Sequence, residues 1–442
     1  MNKLVLSSLA AAMAVGCVQA QDASVQAALA SQQAQINQLQ KQIAAGPSIG
    51  SFRFPKELQP YIVVEASLVS TSNNTAAGQN KIDIPTQPWF SANRWGLRGT
   101  LNTFSPDTDL IYKLETGFGI ADGGLQTTNV VTAASPAGTT PTNAGTEAVL
   151  FNRDAWLGFM SKTIGQVTIG RQNTLARDFS ETYGDAFGTP GIVYEELGWT
   201  NQNNFKDLVN FAGSVDGSRM NKGIVWKKIT ESGLSMGLAY NLADYSLTTP
   251  YANNVTQANT STRDTTGCAA LGYNAKLFNV SGYYTLANQA GFTQKSYSLG
   301  GDITPTAAIK VNAVAFRYSA DQGPVNGHRT DTAFVVSASY SPSDVWNYFL
   351  GYQAWQANHA GLSKVGGNMT MPFSNGFIAP AGAIGSGNRN TTYMAVRRYL
   401  NKRADVYLAA DYEQLTNAYK LSATNGFHEQ TEFAVGLRIK AL

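Results

Sequence analysis

The chain has almost no cysteine: two residues in 442, Cys17 and Cys268. Cys17 falls inside an N-terminal leader that export removes, so Cys268 stands alone and no intramolecular disulfide can form. Histidine is equally scarce. His328, His359 and His428 lie far apart, without the spacing a metal site needs. Only 14% of residues are charged, against about 25% in ordinary globular domains. The net charge of +3 and the lack of any Lys/Arg run exclude a nucleic-acid partner. After the leader, no segment approaches the ~18–20 continuous apolar residues of a transmembrane helix. There is no Gly-x-Ser-x-Gly elbow, and the glycine-rich 382–387 stretch has no strand–turn–helix around it. No enzyme site and no cofactor are expected.

What is present is glycine (42 residues), aromatics (11%) and a change of hydrophobic period along the chain. Residues 1–20 read as a signal peptide: Asn2-Lys3, an apolar core from Leu4 to Val15, then Val18-Gln19-Ala20 as the cleavage site. A lipoprotein leader, with Ala14-Val15-Gly16 before a lipidated Cys17, is the competing reading. Residues 21–47 read as a periplasmic arm. Val25, Leu29, Gln32, Ile36, Leu39 and Ile43 alternate in steps of four and three, a heptad seam that Gly46-Pro47 ends. A single amphipathic helix or a mobile arm fits the same pattern.

From about Gln59 the period becomes two. Phe433, Val435, Leu437 and Ile439 alternate with Ala434, Gly436, Arg438 and Lys440. Leu110, Tyr112 and Leu114 likewise oppose Asp109, Lys113 and Glu115, and Val406, Leu408 and Tyr412 oppose Asp405, Tyr407 and Asp411. A soluble sandwich also alternates, but its core cannot hold Lys113, Glu115, Arg438 and Lys440 uncompensated, whereas a water-filled barrel can. Short connections (Phe104–Thr108, Lys162–Gly165, Lys228–Gly233, Thr304–Ala307, Ser341–Asp344, Asn401–Ala404) contrast with long Gly/Thr/Asn/Ala-rich ones at 120–147, 244–266 and 358–389. That asymmetry predicts an all-β fold: a transmembrane antiparallel β-barrel of about 16 strands over 48–442, both ends at the periplasmic rim. The low-complexity segment 127–146 is expected outside it.

Arg94-Trp95-Gly96-Leu97-Arg98-Gly99, followed by Leu110–Phe118, resembles the second and third strands of Gram-negative general porins. Phe151–Gly158 with Gly165–Gln172 resembles the next pair, and Asn401–Tyr407 resembles the family's late turn. The resemblance implies a homotrimeric outer-membrane channel for passive diffusion of small hydrophilic solutes, embedded among outer-membrane lipid and lipopolysaccharide. Three departures stand out: the end Lys440-Ala441-Leu442 in place of Phe, Asp185-Ala186-Phe187-Gly188 as the nearest match to the family's acidic loop motif, and the helical arm. A substrate-selective porin for an anion, dicarboxylate or sugar is the nearest alternative. A structural tether acting through the arm is the alternative of another class.

The stretch Gly170–Trp199 follows the strand-like Val167–Gly170. It is too long for a hairpin turn and too poor in periodic apolar residues for a packed helix. It is acidic, with Asp178, Glu181, Asp185, Glu195 and Glu196, and is read as a constriction loop over about 171–204, folded into the lumen. The resemblance places Arg94, Arg153 and Arg219 on the wall opposite it, with Arg98 and Arg171 as neighbours. Arginines facing the loop acids across a narrow opening would create a transverse field that selects among solutes.

Overall fold

The computed structural model describes residues 48–49, 52–74, 77–85, 88–91, 93–125, 150–184, 219–242, 244–245, 263–289, 292–321, 327–361, 384–417 and 427–441. The leader, the 21–47 arm and the 127–146 segment lie outside them.

Sixteen antiparallel strands close into one barrel. They are β1 (Gln59–Thr71), β2 (Arg94–Ser105), β3 (Thr108–Gly117), β4 (Asp154–Ser161), β5 (Gly165–Asn173), β6 (Arg219–Ile229), β7 (Leu234–Asn241) and β8 (Arg263–Asn274). The circuit continues through β9 (Phe278–Gln289), β10 (Phe292–Thr306), β11 (Ile309–Asp321), β12 (His328–Tyr340), β13 (Trp346–Gly361), β14 (Ile384–Asn401), β15 (Ala404–Leu415) and β16 (Glu429–Ala441). Two short accessory strands, Lys81–Asp83 and Asp244–Tyr245, ride on β1 and β8. Closure joins β16 to β1, with Ile62 opposite Ala441 and Thr71 opposite Glu432. Both ends of the barrel therefore meet at the rim of short turns.

The period-two pattern resolves into two faces. On β16, Phe433, Val435, Leu437 and Ile439 are exposed outward, while Ala434 and Arg438 are buried inward. On β15, Leu408 and Tyr412 face out; Asp405, Tyr407, Ala409, Asp411 and Glu413 face in. An outward apolar face is stable only against lipid, and the inward charges need a polar lumen.

All six expected short connections are hairpin turns, and a seventh joins β8 to β9, where Ala275 N donates to Phe278 O at 2.8 Å. The expected long loops are shorter than the sequence implies. Residues 263–266, 358–361 and 384–389 belong to β8, β13 and β14. The outward side chains near these strand ends, such as Gln356 and Asn388, are polar, so alternation disappears where strands rise above the lipid. Strands of up to eighteen residues exceed the ~9–11 needed to cross a bilayer.

The expectation of no packed helix after Gly170 is corrected. β5 continues to Asn173, and a ten-residue helix, α1 (Leu175–Gly184), follows inside the barrel. Thr174 caps it: its Oγ1 accepts from Arg177 N at 3.2 Å, and its carbonyl accepts from Asp178 N at 3.1 Å. Asp178 lies in the first turn, where the helix dipole favours an acid. Three apolar residues, Leu175, Ala176 and Phe179, are fully buried and suffice, because the wall they meet is built of small residues. Gly237, Ala239, Cys268 and Ala270 lie on the inner faces of β7 and β8. A Cβ at Gly237 would come within 2.9 Å of Leu175 Cδ2, so glycine is what lets the helix approach. Cys268 lies beneath α1 and accepts from Thr285 Oγ1 at 3.1 Å.

Candidate functional site: the charged lumen wall beside the inward helix

Alternation brings Arg94, Gly96 and Arg98 of β2 to the inner face, opposite Gly117, Glu115 and Lys113 of β3. Glu115 is the hub. Its Oε1 accepts from Arg153 Nε at 2.5 Å. Its Oε2 accepts from Tyr61 Oη at 2.7 Å and lies 3.2 Å from Lys113 Nζ and 3.8 Å from Arg94 Nε. Asp154, directly across from Glu115 on β4, holds Lys113 Nζ at 2.7 Å and lies 3.9 Å from Arg219 Nε. Arg98 lies over the Tyr61 ring, 5.5 Å from its centroid.

The helix carries its own charges to this wall. Asp178 accepts from Asn173 Nδ2 at 3.0 Å and pairs with Lys227 of β6. Arg177 is fully buried and donates from Nη1 to Asn173 Oδ1 at 2.9 Å. Asp178 and Lys227 thus clamp the start of α1 to the barrel, alongside the apolar contacts of Leu175 and Phe179.

Arg94, Arg98, Arg153 and Arg219 are therefore gathered on one stretch of wall. Arg171 is not among them. It shares the outward parity of Ile169 and reaches Asn152 O at 2.9 Å through Nε and Asn221 through Nη1. Asp178 is at the helix start, bound to Lys227. The Glu181 side chain and Asp185, Glu195 and Glu196 lie outside the described residues. The carboxylates that meet the arginines are on the strands, Glu115 and Asp154, and neither was among the candidate site residues. The alternation placed Glu115 and Lys113 inward, and Asp154 belongs to the Phe151–Gly158 motif, so parity was the signal available for them. Lys227 and Arg177 carried no comparable signal.

Among the described residues this wall holds seven cations (Arg94, Arg98, Lys113, Arg153, Arg177, Arg219, Lys227) and three carboxylates (Glu115, Asp154, Asp178). Most of these side chains are fixed by ion pairs or hydrogen bonds, and a fixed surplus of one sign beside an aqueous path favours the opposite ion. No group of three or more His, Cys, Asp or Glu could hold a metal among the described residues.

A sixteen-stranded barrel with a lipid-facing apolar exterior, a charged lumen and an inward helix defines the class: an outer-membrane diffusion channel. Residues 9–418 match the family model described as Gram-negative porin, and the chain belongs to that family. The fold is similar to that of an anion-selective porin from Comamonas acidovorans, with TM-score 0.58, 15% identity, and 87% of this chain and 99% of that chain covered. It is also similar to the trimer form of OmpT from Vibrio cholerae (TM-score 0.53, 14% identity, 87% and 98% covered) and to Salmonella typhi OmpF in complex with daunomycin (0.51, 14%, 87% and 97%). Comparison with the curated proteins finds no match.

Proposed function

We propose that this channel passes small hydrophilic solutes by passive diffusion with a preference for anions. The surplus of cations on the Arg94–Lys227 wall carries the reading. Among the described residues, Glu115 and Asp154 are each shared among several cations and so order the arginines. Arginine suits this role because it stays charged at every relevant pH and is weakly hydrated. No proton or electron transfer is needed, and the work is done by a concentration gradient. A similar fold in a porin described as anion-selective accords with this, although at 15% identity the likeness concerns the fold.

Three further readings belong to the same proposal. The chain is exported through residues 1–20. It assembles as a homotrimer amid lipid and lipopolysaccharide, as one structurally similar outer-membrane protein is described in a trimer form. Residues 21–47 form a short coiled coil on the trimer axis. The test of the central claim is the reversal potential of the full protein in planar bilayers across a potassium chloride gradient. An anion-selective sign is expected, and a cation-selective sign overturns the proposal.

A further inference from the structure

A second segment turns into the lumen, and no sequence feature announced it. β2 pairs with β1 only over Gln59–Val63, while Lys81–Asp83 pairs with Val69–Thr71. Between those pairings the chain leaves the wall, and Pro88, Trp89, Phe90 and Ser91 are buried inside the barrel. Glu65 of β1 clamps them. Its carboxylate accepts from Phe90 N and Ser91 N at 2.7 Å each, and from Tyr407 Oη at 2.6 Å. Glu65 N in turn donates to Asn93 Oδ1 at 2.5 Å. Ser91 Oγ accepts from Arg438 Nη1 at 2.9 Å. Such a saturated carboxylate fixes the backbone of Phe90–Ser91 as a capping residue fixes a helix start.

The clamp delivers the Phe90 ring to an arginine. Arg397 of β14 lies over Phe90, Phe349 and Tyr399, at 5.8, 5.0 and 4.8 Å from their centroids. With the Asn347 amide oriented to satisfy its neighbours, its oxygen accepts from Arg397 Nη2 at 3.0 Å; Arg397 Nε has no hydrogen-bond partner. Among the described residues, no carboxylate lies within ion-pair distance of Arg397. Asp405, the nearby acid, is held by Arg438 Nε and Nη2 at 3.1 and 3.0 Å. Arg397 is half-buried on the inner face, five residues from the short turn at 402–403. At about 3.3 Å per residue this places it within roughly 17 Å of the periplasmic rim. An arginine with rings about it, whose nearby described acid is held by another arginine, is arranged for a planar anion, because its fork pairs with a carboxylate.

We infer that Arg397, in its cradle of Phe90, Phe349 and Tyr399, is a binding station for small planar organic carboxylates near the periplasmic mouth, and that the Glu65 clamp builds it. The station is distinct from the Arg94 wall and rests on the anion-preferring reading of the channel. An anion in the lumen meets there a second fixed guanidinium, so carboxylates are retained where chloride is not.

The test uses the full protein in planar bilayers, carrying chloride current, with benzoate added on the short-turn side. In the unaltered channel benzoate should reduce the current at concentrations where equimolar phosphate does not. Arg397→Gln should raise the half-blocking concentration by about tenfold, the loss of one charge-assisted hydrogen bond. Arg397→Lys should lose most of the block, since it keeps the charge but not the planar fork. Arg398→Gln, on the outward face over Trp346, is the control and should match the unaltered channel. Heat-dependent gel migration verifies that each variant has folded. Block that survives Arg397→Gln, wild-type block by Arg397→Lys, or phosphate acting as well as benzoate would each overturn the inference. A cation-selective reversal potential would instead overturn the reading beneath it.

Discussion

Replacing Arg94 by glutamine probes the wall with little structural disturbance. Its Nε lies 3.8 Å from Glu115 Oε2, while Arg153, Lys113 and Tyr61 sit closer to that carboxylate and continue to satisfy it. The variant mainly deletes one positive charge from the field. For an ion passing about 8 Å away in water, the unscreened energy is ~0.5 kcal/mol, which screening reduces to ~0.2 kcal/mol at 0.15 M salt and ~0.4 kcal/mol at 0.01 M. Anions lose this attraction and cations lose an equal repulsion, so the permeability ratio changes by about twofold at 0.15 M and about fourfold at 0.01 M. The low-dielectric wall makes these lower bounds. The assay is the reversal potential at both salt concentrations, with Lys162→Gln as the comparison. Lys162 sits in a rim turn, its side chain 71% exposed and paired with Asp107. A shift toward cations for Arg94→Gln that grows at low salt, with little change for Lys162→Gln, is expected. Equal shifts in the two variants would show that the Arg94 wall does not govern permeation.

Leu175→Ala should remove part of the apolar anchor of α1, at the ~2–5 kcal/mol typical of a fully buried leucine; current noise should rise and the heat needed to unfold the barrel should fall. Lys227→Met leaves the buried Asp178 carboxylate its hydrogen bond from Asn173 without the lysine charge, and should likewise increase channel noise; a quiet trace would show that the apolar contacts alone seat the helix. Gly170→Ala should destabilise the barrel, because the backbone there has φ +133° and a Cβ would lie 2.2 Å from Ala155 O; unchanged heat resistance in gels would refute the strain argument. Deleting residues 21–47 should lower the trimer's dissociation temperature and leave conductance nearly unchanged, whereas a closed channel would make the arm a plug.

The barrel was legible because each strand has one face in lipid and one in water. Phe433, Val435 and Leu437 against Ala434 and Arg438 state that contrast in five residues, and no tertiary knowledge is needed to read it. α1 was not legible, for a physical reason. Its apolar stripe is only Leu175, Ala176 and Phe179, too little for a helix that must bury a face among side chains of ordinary size. It becomes enough where Gly237, Ala239 and Ala270, some sixty or more residues along the chain, leave room at the wall. The inward turn of Pro88–Ser91 depends in the same way on Glu65 and Tyr407, which meet only once β16 and β1 close the barrel.

The arginine partners show where parity stops informing. Arg94, Arg98, Lys113 and Glu115 were placed on the inner face, and parity alone does that. Which of them meet depends on register, and register is altered by irregularities that the sequence does not mark. Counting back from the turn pair Ser105–Thr108 would set Arg94 opposite Gly119; the irregularity between Leu101 and Ser105 sets it opposite Gly117. An even shift preserves the face and changes the neighbours, so Arg94 comes within reach of Glu115 and its opposing acid need not come from the loop. On β6 the shift is odd. Gly170 pairs with Gly223 but Gln172 pairs with Met220, and the extra residue falls at Asn221–Lys222, where Lys222 adopts φ +49°. The pairing of β5 with β4 stays in step across Gly170, so Arg171 remains on the outward parity of Ile169, and the bulge supplies it with Asn221 as a partner away from the cluster.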